Sequence, residues 1–492
     1  MRINQVEWDL VIIGGGASGA GSALDAASRG LKTLLIEKHD FGKGTSSKST
    51  KLIHGGVRYL EQGNLSLVYE ALHERSILKK NAPHLVSTLQ FVLPVYRLWK
   101  GYYFWIGLKL YDWLSGRSSL GSSSFLSRDA TINLLPNINQ QGLKKGVLYY
   151  DGQFDDTRLL ISILRTAEQQ GATILNYHEF KGFVKANGKI TGVKIQDSLS
   201  GDAYEVKAKS IVNATGVFSD SIRRVDNTDV PKMMFGSQGI HIVLESNFLS
   251  GETAILIPDT RDDRVLFAVP WNGKVLVGTT DTKVDSYDIE PQFLEEEIDY
   301  LLEHISKYLS IKPQKEDILS VFSGLRPLVS KSVKGDPSKI SRKHYIERSS
   351  SGLVSIMGGK WTTYRRMAEG TIDVVCRDLG LKNKSKTEQI KLFDNSVEQS
   401  ELIASKQEYQ EFVSEKYSLT HGFVVYAIRF EKAQSIEDVL ARRSRLLFLD
   451  TIEAVRISPI VAQILSNELS KDEAWVQKQL TEFKELAKKY YN

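Results

Sequence analysis

The sequence predicts an α/β protein, α+β overall, with an N-terminal β–α–β region, an antiparallel-sheet region and a C-terminal helical domain. An apolar run at 9–13 ends in three glycines, an alanine-rich helical pattern follows at 17–29, and a second strand follows at 33–36. Four later segments alternate as antiparallel strands do, at 239–244, 253–258, 264–270 and 274–279. Residues 400–492 keep helical periodicity with few turn signals.

The remaining elements follow from the same two periodicities. We expect helices at 65–81, 101–116, 155–170, 295–309 and 363–379. We expect further strands at 89–95, 172–177, 181–186, 190–196, 203–207, 206–214, 318–323 and 353–357. The polar stretch 382–399 predicts a linker before the helical domain.

Length and composition bound the class of protein. A chain of 492 residues is too long for one compact core, and 41% hydrophobic with 25% charged residues is typical of folded domains. The net charge of +5 comes without a block of like charges, so no nucleic-acid partner is expected. The single cysteine, Cys376, excludes an intramolecular disulfide and a cysteine metal cluster, and no metal site is expected.

The glycine cluster after the first strand is typical of a dinucleotide-binding turn. Gly14 permits the tight turn, Gly16 lets the backbone approach a pyrophosphate, and Gly19 lets the helix pack against the strand. The helix that begins with Ala17 and Ser18 offers free N–H groups and a positive dipole end to phosphates. The alternative is a glycine-rich turn that binds nothing.

The end of the second strand strengthens the dinucleotide interpretation. Glu37 lies 18 positions after Gly19, where a carboxylate would accept both hydroxyls of an adenosine ribose. A second glycine-terminated strand at 211–216 is typical of chains that hold extended FAD, whereas NAD enzymes more often close the site within one domain. The sequence therefore predicts a Rossmann-like domain that binds FAD.

Residues 45–61, TSSKSTKLIHGGVRYLE, closely resemble the flavin-contacting segment of the FAD-dependent, membrane-associated glycerol-3-phosphate dehydrogenase family. Five further segments resemble the same family in the same order: 236–243 (GSQGIHIV), 278–281 (GTTD), 323–328 (SGLRPL), 358–365 (GGKWTTYR) and, in the helical cap, 435–454. There are two mild departures. Thr50 replaces a more usual serine, and Phe218 stands where tryptophan is common.

The resemblance implies the domain boundaries. The FAD-dependent oxidoreductase region would cover 1–390 and the helical cap 400–492. Within the first region the FAD-binding domain would comprise about 1–90, 145–235 and 350–390, and the substrate domain about 91–144 and 236–349.

The resemblance also implies the cofactor contacts. They are Gly14, Gly16, Ala17, Ser18, Gly19, Glu37, Lys38, Ser46, Ser47, Lys51, Leu52, Ile53, His54, Gly55, Val184, Ala214, Gly216, Gly359, Lys360, Thr362 and Thr363. Because Cys376 lies beyond the last flavin motif, we expect noncovalent FAD, with His54 as the one residue of a flavin motif that could attach it.

A phosphorylated polyol requires a cationic clamp, and arginine can donate two parallel hydrogen bonds to one phosphate. The resemblance implies that Arg58 and Arg326 bind the substrate, which in this family is glycerol 3-phosphate, with Tyr59 and Lys360 nearby. For any single arginine the alternative is a surface ion pair.

Oxidation of a secondary alcohol by hydride transfer also requires removal of its O–H proton, and histidine titrates nearest neutrality. His241, in the segment GSQGIHIV, is the predicted base. Its alternative is a structural histidine bonded to backbone. Arg326 could stabilise the forming alkoxide, and Lys360 is the next candidate for the proton.

Residues 95–117 hold eight aromatic and four basic residues, a combination that favours the membrane–water interface. A core helix that roofs the substrate pocket is the alternative. The family passes electrons to a membrane quinone, which favours the membrane. No run of 18 uncharged apolar residues and no secretory signal are present, so we expect a cytoplasmic protein, peripheral on the inner face of the cell membrane.

Two other functions compete with a quinone-linked dehydrogenase. A glycerol-3-phosphate oxidase would run the same half-reaction with oxygen and release hydrogen peroxide, but it often carries an insertion before the cap for which this chain has no obvious room. A flavin-bound regulatory protein without turnover would be expected to lose the motifs of Arg58, Arg326 and His241, which are intact. The oligomeric state stays open, with a homodimer as one form.

Overall fold

The computed structural model describes residues 3–56, 64–261, 264–330 and 344–490. Its strands are β1 (Trp8–Ile13), β2 (Thr33–Ile36), β3 (Leu52–Ile53), β4 (Val86–Val95), β5 (Ser124–Leu126), β6 (Lys145–Phe154), β7 (Thr173–Leu175), β8 (His178–Ala186), β9 (Lys189–Asp197), β10 (Ala203–Asn213), β11 (Met234–Glu245), β12 (Thr253–Ile257), β13 (Leu266–Trp271), β14 (Lys274–Gly278), β15 (Thr282–Val284), β16 (Ile318–Val329), β17 (Tyr345–Arg348), β18 (Leu353–Met357), β19 (Phe412–Ser414) and β20 (Leu419–Thr420).

The α-helices of the described residues are α1 (Ala17–Ser28), α2 (Leu65–Asn81), α3 (Leu98–Ser115), α4 (Arg128–Leu134), α5 (Asp156–Gln169), α6 (Ser219–Asp226), α7 (Glu295–Ser306), α8 (Tyr364–Asp378), α9 (Ser396–Ala404), α10 (Gln407–Gln410), α11 (His421–Glu431), α12 (Leu446–Leu449), α13 (Thr451–Leu469) and α14 (Glu473–Ala487). A π-helix spans Asp438–Arg443. The predicted long helices are confirmed, with bounds that shift by a few residues. The strands predicted at 203–207 and 206–214 form the single strand β10, β6 was not predicted, and α9 begins within the predicted linker 382–399.

The first sheet has the order β17-β18-β10-β1-β2-β7, and β8 and β9 extend it through β10. Its central strands are parallel and apolar on both faces, because α1, α5 and α8 pack on one side and side chains of β8 and β9 pack on the other. Ile13 is in register with both Ile36 and Asn213. The carboxyl ends of β1, β2 and β10 therefore meet at one edge, where ligands bind in parallel sheets.

The second sheet has the order β15-β11-β14-β13-β12-β4-β6-β3, with β16 on β11 and β5 on β6. Its pairings are antiparallel except for β4 with β12, as the alternating pattern predicted. The long pair β11–β16 places Ser237 opposite Arg326 and His241 opposite Phe322. This register brings two distant sequence motifs to one site.

The C-terminal domain is mainly helical, but it also contains the β19–β20 hairpin, which the helical pattern did not predict. Its hydrophobic core continues into the second sheet, because Val243, Leu276 and Phe322 pack with the buried side chains of α11, α12 and α13. The backbone N–H of Val321 donates to the carbonyl oxygen of Tyr490 at 2.6 Å. The helical domain is therefore built onto the outer strand of the sheet that carries His241.

Candidate active site

A cavity of about 810 Å³ lies at the carboxyl edge of β1, β2 and β10. Among the predicted cofactor residues, its walls contain Gly14, Gly16, Ala17, Ser18, Glu37, Lys38, Ser46, Ala214, Gly216, Gly359 and Lys360. Residues that the sequence did not single out also line it, among them Thr45, Thr215, Tyr287 and Trp361. The parallel pairing of β10 with β1 and with β18 brings together segments that are separated by more than 300 positions.

The glycines of the turn have distinct structural reasons. Gly14 has φ +111°, and a Cβ there would lie 2.7 Å from the carbonyl oxygen of Ala214. A Cβ on Gly19 would lie 1.8 Å from the carbonyl oxygen of Gly14. Gly19 therefore lets α1 begin directly against the turn, and it is not part of the cavity wall. A backbone turn this close to the cavity fits a pyrophosphate.

Glu37 lies at the end of β2 with both carboxylate oxygens in use. Oε2 accepts from the backbone N–H of Gly15 at 2.7 Å, and Oε1 accepts from that of His39 at 2.9 Å. Burial raises the pKa of the Glu37 carboxyl, and the two backbone donors oppose this. Each oxygen keeps a second lone pair, so the carboxylate retains the capacity to accept two ribose hydroxyls.

A second cavity, of about 310 Å³, adjoins the first and shares Thr45, Gly359, Lys360 and Trp361 with it. Its walls contain His241, Arg326, Lys360, Leu52, His54 and Thr362. Arg58 and Tyr59 lie outside the described residues. Two adjoining cavities with a common wall fit an extended dinucleotide whose reactive ring reaches a second, substrate-sized space.

Seven predicted cofactor residues line neither cavity. They are Gly19, Ser47, Lys51, Ile53, Gly55, Val184 and Thr363. Ile53 and Gly55 face the core, and Val184 lies on β8. The loop residues alternate between the cavity and the interior, so a continuous sequence motif does not give a continuous set of contacts.

His241 is 3% exposed on β11, and its ring stacks on Phe322 with 4.9 Å between ring centres. Its Nε2 lies 2.9 Å from Oγ1 of Thr50. Burial lowers the pKa of His241 well below its usual value, and the charges of Lys51 and Arg326 lower it further. His241 is therefore neutral at neutral pH and able to accept a proton.

Arg326 lies on β16, beside β11, and its side chain is 23% exposed. Its Nη2 donates to Oγ1 of Thr279 at 2.9 Å and to the carbonyl oxygen of Thr280 at 2.7 Å. Its Nη1 lies 3.2 Å from Oδ1 of Asp281. A Cβ on Gly239 would lie 2.3 Å from Nη2, so a larger residue there would displace the guanidinium from this position. The sheet thus orients the guanidinium towards the cavity.

The wall between the two cavities is held from beneath by buried charges. Nζ of Lys51 donates to Oδ2 of Asp156 at 2.6 Å and to the carbonyl oxygen of Ser47 at 2.7 Å. Arg445, from the helical domain, donates to the same Ser47 oxygen at 2.8 Å and to Oδ1 of Asp156 at 3.1 Å. Lys51 and Ser47 were predicted as cofactor contacts; their contacts here support the loop that carries Thr45 and Thr50.

Helix α3 has one face on a cavity and one exposed apolar face. On its inner side Leu108 lines the smaller cavity, and the Tyr111 hydroxyl accepts from the N–H of Gly55 at 2.8 Å. On its outer side Trp99, Ile106 and Trp113 are 65%, 63% and 75% exposed. Among the helices described, none combines the length and apolar character needed to cross a bilayer.

Two family profiles match the chain. The family described as FAD dependent oxidoreductase matches residues 9–365. The family described as C-terminal domain of alpha-glycerophosphate oxidase matches residues 358–476. Together they cover the two cavities and most of the helical domain.

Several named proteins are similar over nearly the whole chain. The mitochondrial glycerol-3-phosphate dehydrogenase of Homo sapiens is 38% identical, with 99% of this chain and 73% of that protein aligned. The probable mitochondrial glycerol-3-phosphate dehydrogenase of Caenorhabditis elegans is 39% identical over 96% of this chain and 72% of that protein. The corresponding protein of Schizosaccharomyces pombe is 35% identical over 96% of this chain and 86% of its own length.

Solved structures agree with these relatives. The glycerol-3-phosphate dehydrogenase from Bacillus halodurans, complexed with FAD, has a TM-score of 0.81 and 29% identity, with 99% of this chain and 96% of that chain covered. The L-alpha-glycerophosphate oxidase from Mycoplasma pneumoniae, with FAD bound, has a TM-score of 0.59 at 17% identity over 77% of this chain and 97% of that chain. The latter similarity shows a common fold.

Proposed function

We propose that this chain oxidises sn-glycerol 3-phosphate to dihydroxyacetone phosphate, because it belongs to the FAD-dependent glycerol-3-phosphate dehydrogenase family. FAD supplies the hydride acceptor. The observation that carries the proposal is the adjoining substrate-sized cavity, where a neutral, buried His241 faces the same space as cationic Arg326 and Lys360. That set of groups can bind an anion and accept a proton from an alcohol.

The proposed roles concern the phosphate and the C2 hydroxyl of the substrate, and Arg326 acts on both. Arg326 and Lys360, with Arg58 and Tyr59 from outside the described residues, bind the phosphate. His241 receives the proton of the C2 hydroxyl, and the positive charge of Arg326 stabilises negative charge that develops on that oxygen. The cofactor is held noncovalently. A covalent bond between the flavin and His54, which lies in the wall of the smaller cavity, would contradict this.

The proposed electron acceptor is a membrane quinone. The exposed aromatic face of α3 supports it, because the opposite face of the same helix lines the substrate cavity. A peripheral position on the inner face of the cell membrane would place this face at the bilayer interface. The second candidate, an oxidase, would use oxygen in place of quinone. A homodimer is compatible with either.

Anaerobic titration tests the reaction and separates the acceptors. Glycerol 3-phosphate should bleach the bound flavin, whereas unphosphorylated glycerol should not, and a regulatory flavoprotein would stay oxidised with both. The reduced protein is then mixed with a short-chain quinone or with oxygen. Fast reoxidation by quinone with little hydrogen peroxide supports the dehydrogenase. Stoichiometric peroxide with slow quinone reduction would support the oxidase instead.

A further inference from the structure

The imidazole of His241 presents only one nitrogen to the substrate side. Its Nδ1 is buried and has no hydrogen-bond partner within the part of the chain that the structure describes. Its Nε2 is 2.9 Å from Oγ1 of Thr50, and both residues line the smaller cavity. A substrate hydroxyl that approaches Nε2 therefore meets the Thr50 hydroxyl at the same place.

The Thr50 hydroxyl has the valence for a relay. A hydroxyl carries one donor and two acceptor lone pairs, so Oγ1 can donate to Nε2 and still accept from a substrate O–H. In the tautomer that carries its proton on Nδ1, neutral His241, whose pKa is lowered by burial, supplies Nε2 as the acceptor nitrogen. The 2.9 Å between Oγ1 and Nε2 is within the heavy-atom distance, about 2.6–3.2 Å, that general acid–base catalysis requires.

The loop holds Thr50 in a fixed position. Lys51, the next residue, has φ +62°, a left-handed conformation, and its N–H donates to Oγ of Ser49 at 3.1 Å. Oγ of Ser49 in turn donates to Oδ2 of Asp156 at 2.7 Å. Because threonine is β-branched, its χ1 has few alternatives. The hydroxyl is thus presented to His241 between half-buried Ser49 and buried Lys51.

We propose that Thr50 is a catalytic residue that relays the substrate proton to His241. The O–H bond at C2 of the substrate breaks as a new O–H bond forms at Oγ1 of Thr50. The original Thr50 proton moves to Nε2 of His241, and the C2–H electron pair leaves as hydride to the flavin, so that C2 becomes a carbonyl carbon. This inference rests on the proposed function and names the first acceptor of the proton.

Two substitutions at one position test the relay. Thr50→Val keeps the size and branching but removes the hydroxyl, and it should slow anaerobic flavin reduction by about 10²–10⁴-fold, as loss of an acid–base group does. Thr50→Ser keeps the hydroxyl and should retain most of the rate. Both variants should retain FAD and bind dihydroxyacetone phosphate as the parent does. Binding is measured from the change that dihydroxyacetone phosphate causes in the spectrum of the oxidised flavin.

Two further measurements distinguish a relay from a packing role. In mixtures of light and heavy water, the rate of flavin reduction by the parent and by Thr50→Ser should fall along a curve as the deuterium fraction rises, because two protons move. The rate of Thr50→Val should show no such curvature. His241→Ala combined with Thr50→Val should be no slower than His241→Ala alone, since members of one unit are not additive.

Three outcomes would overturn the relay alone. The first is a parental rate of flavin reduction in Thr50→Val. The second is an equal loss of that rate in Thr50→Ser and Thr50→Val. The third is a linear dependence of the parent's rate on deuterium fraction. A parent flavin that glycerol 3-phosphate fails to reduce would overturn the proposed function as well, and this is measured first.

Discussion

Arg445 of the helical domain donates a hydrogen bond from Nη2 to the backbone carbonyl of Ser47, 2.8 Å away in the loop between the two cavities. Arg443 makes a similar contact nearby, donating to both carboxylate oxygens of Asp40 at 2.8 Å. Both arginines are almost fully buried. The helical domain therefore contacts the segment from Asp40 to Ser47 directly, in addition to its packing on the second sheet.

The first prediction concerns Arg445. Arg445→Ala removes the buried arginine that pairs with Asp156 and leaves Lys51 as the remaining donor to Asp156 and the Ser47 carbonyl, and it should lower the free energy of unfolding by about 3–5 kcal/mol. FAD retention should fall with it. Urea unfolding and flavin fluorescence of the filtrate measure the two effects. Arg456→Ala is the control, since Arg456 is 61% exposed in its ion pair with Glu453. Equal stability losses in the two variants would refute the role of Arg445.

Glu37 gives the second prediction. Glu37→Ala should weaken FAD binding, because a charged hydrogen bond contributes about 1.5–3 kcal/mol. Glu37→Gln should lose less, since the amide oxygen can still accept from one backbone N–H. Fluorescence titration of apoprotein with FAD measures the dissociation constants, with the exposed Glu205→Ala as control. Unchanged affinity in Glu37→Ala would exclude the ribose contact.

The third prediction concerns the phosphate clamp. Arg326→Ala should retain FAD but lose kcat/KM for glycerol 3-phosphate, because removing one arm of a desolvated charge pair costs about 2–5 kcal/mol. The variant should also discriminate less between glycerol 3-phosphate and glycerol. Arg58→Ala should behave alike. Arg348→Ala, an arginine on β17 paired with Asp378, is the control. Parental kinetics in Arg326→Ala would remove that residue from the clamp.

The fourth prediction is a pH dependence of stability. Burial, and next the charge of Arg445, lowers the pKa of Lys51 to about 7, from an ordinary value of 10.5. Between these two values the unfolded chain binds a proton that the folded chain does not. The Lys51 contribution to stability should therefore rise with pH across this window, by up to about 1.4 kcal/mol per pH unit, and be lowest below pH 7.

The measurement compares variants. The unfolding free energy of the parent minus that of Lys51→Met should increase from pH 7 to pH 10. The same difference for Lys194→Met, a lysine on β9 that is 55% exposed, should stay flat. A flat Lys51 difference would mean that the lysine stays charged throughout, held by Asp156.

The features predicted from sequence were those encoded locally. The turn at Gly14, the position of Glu37 and the bounds of α2 follow from short-range periodicity and backbone geometry. The Thr50–His241 contact joins residues 191 positions apart, and the Arg445–Ser47 contact joins residues 398 positions apart. Local patterns carry no information on such pairs, because sheet register and domain packing decide them.

Asp281 illustrates the same limit within a motif that was noticed. GTTD was quoted only for its resemblance, yet Thr279, Thr280 and Asp281 surround the Arg326 guanidinium. Pairing β16 with β11, and β11 with β14, would have revealed this neighbourhood. The segments were predicted as strands, but their order in the sheet was not.

The final prediction concerns the outer face of α3. Trp99 and Trp113 are the most exposed of its large side chains, and indole rings favour the headgroup region of a bilayer. The double variant Trp99→Ser, Trp113→Ser should lose co-sedimentation with vesicles of mixed phosphatidylglycerol and phosphatidylcholine. Its anaerobic flavin reduction by glycerol 3-phosphate should persist, because the cavity is lined by the opposite face of the helix.

The matched control is Phe412→Ser with Ile452→Ser, two apolar residues of the helical domain that are 56% and 58% exposed. Vesicle binding lost equally in both pairs would indicate general surface stickiness, and binding retained by the tryptophan variant would place the membrane contact elsewhere.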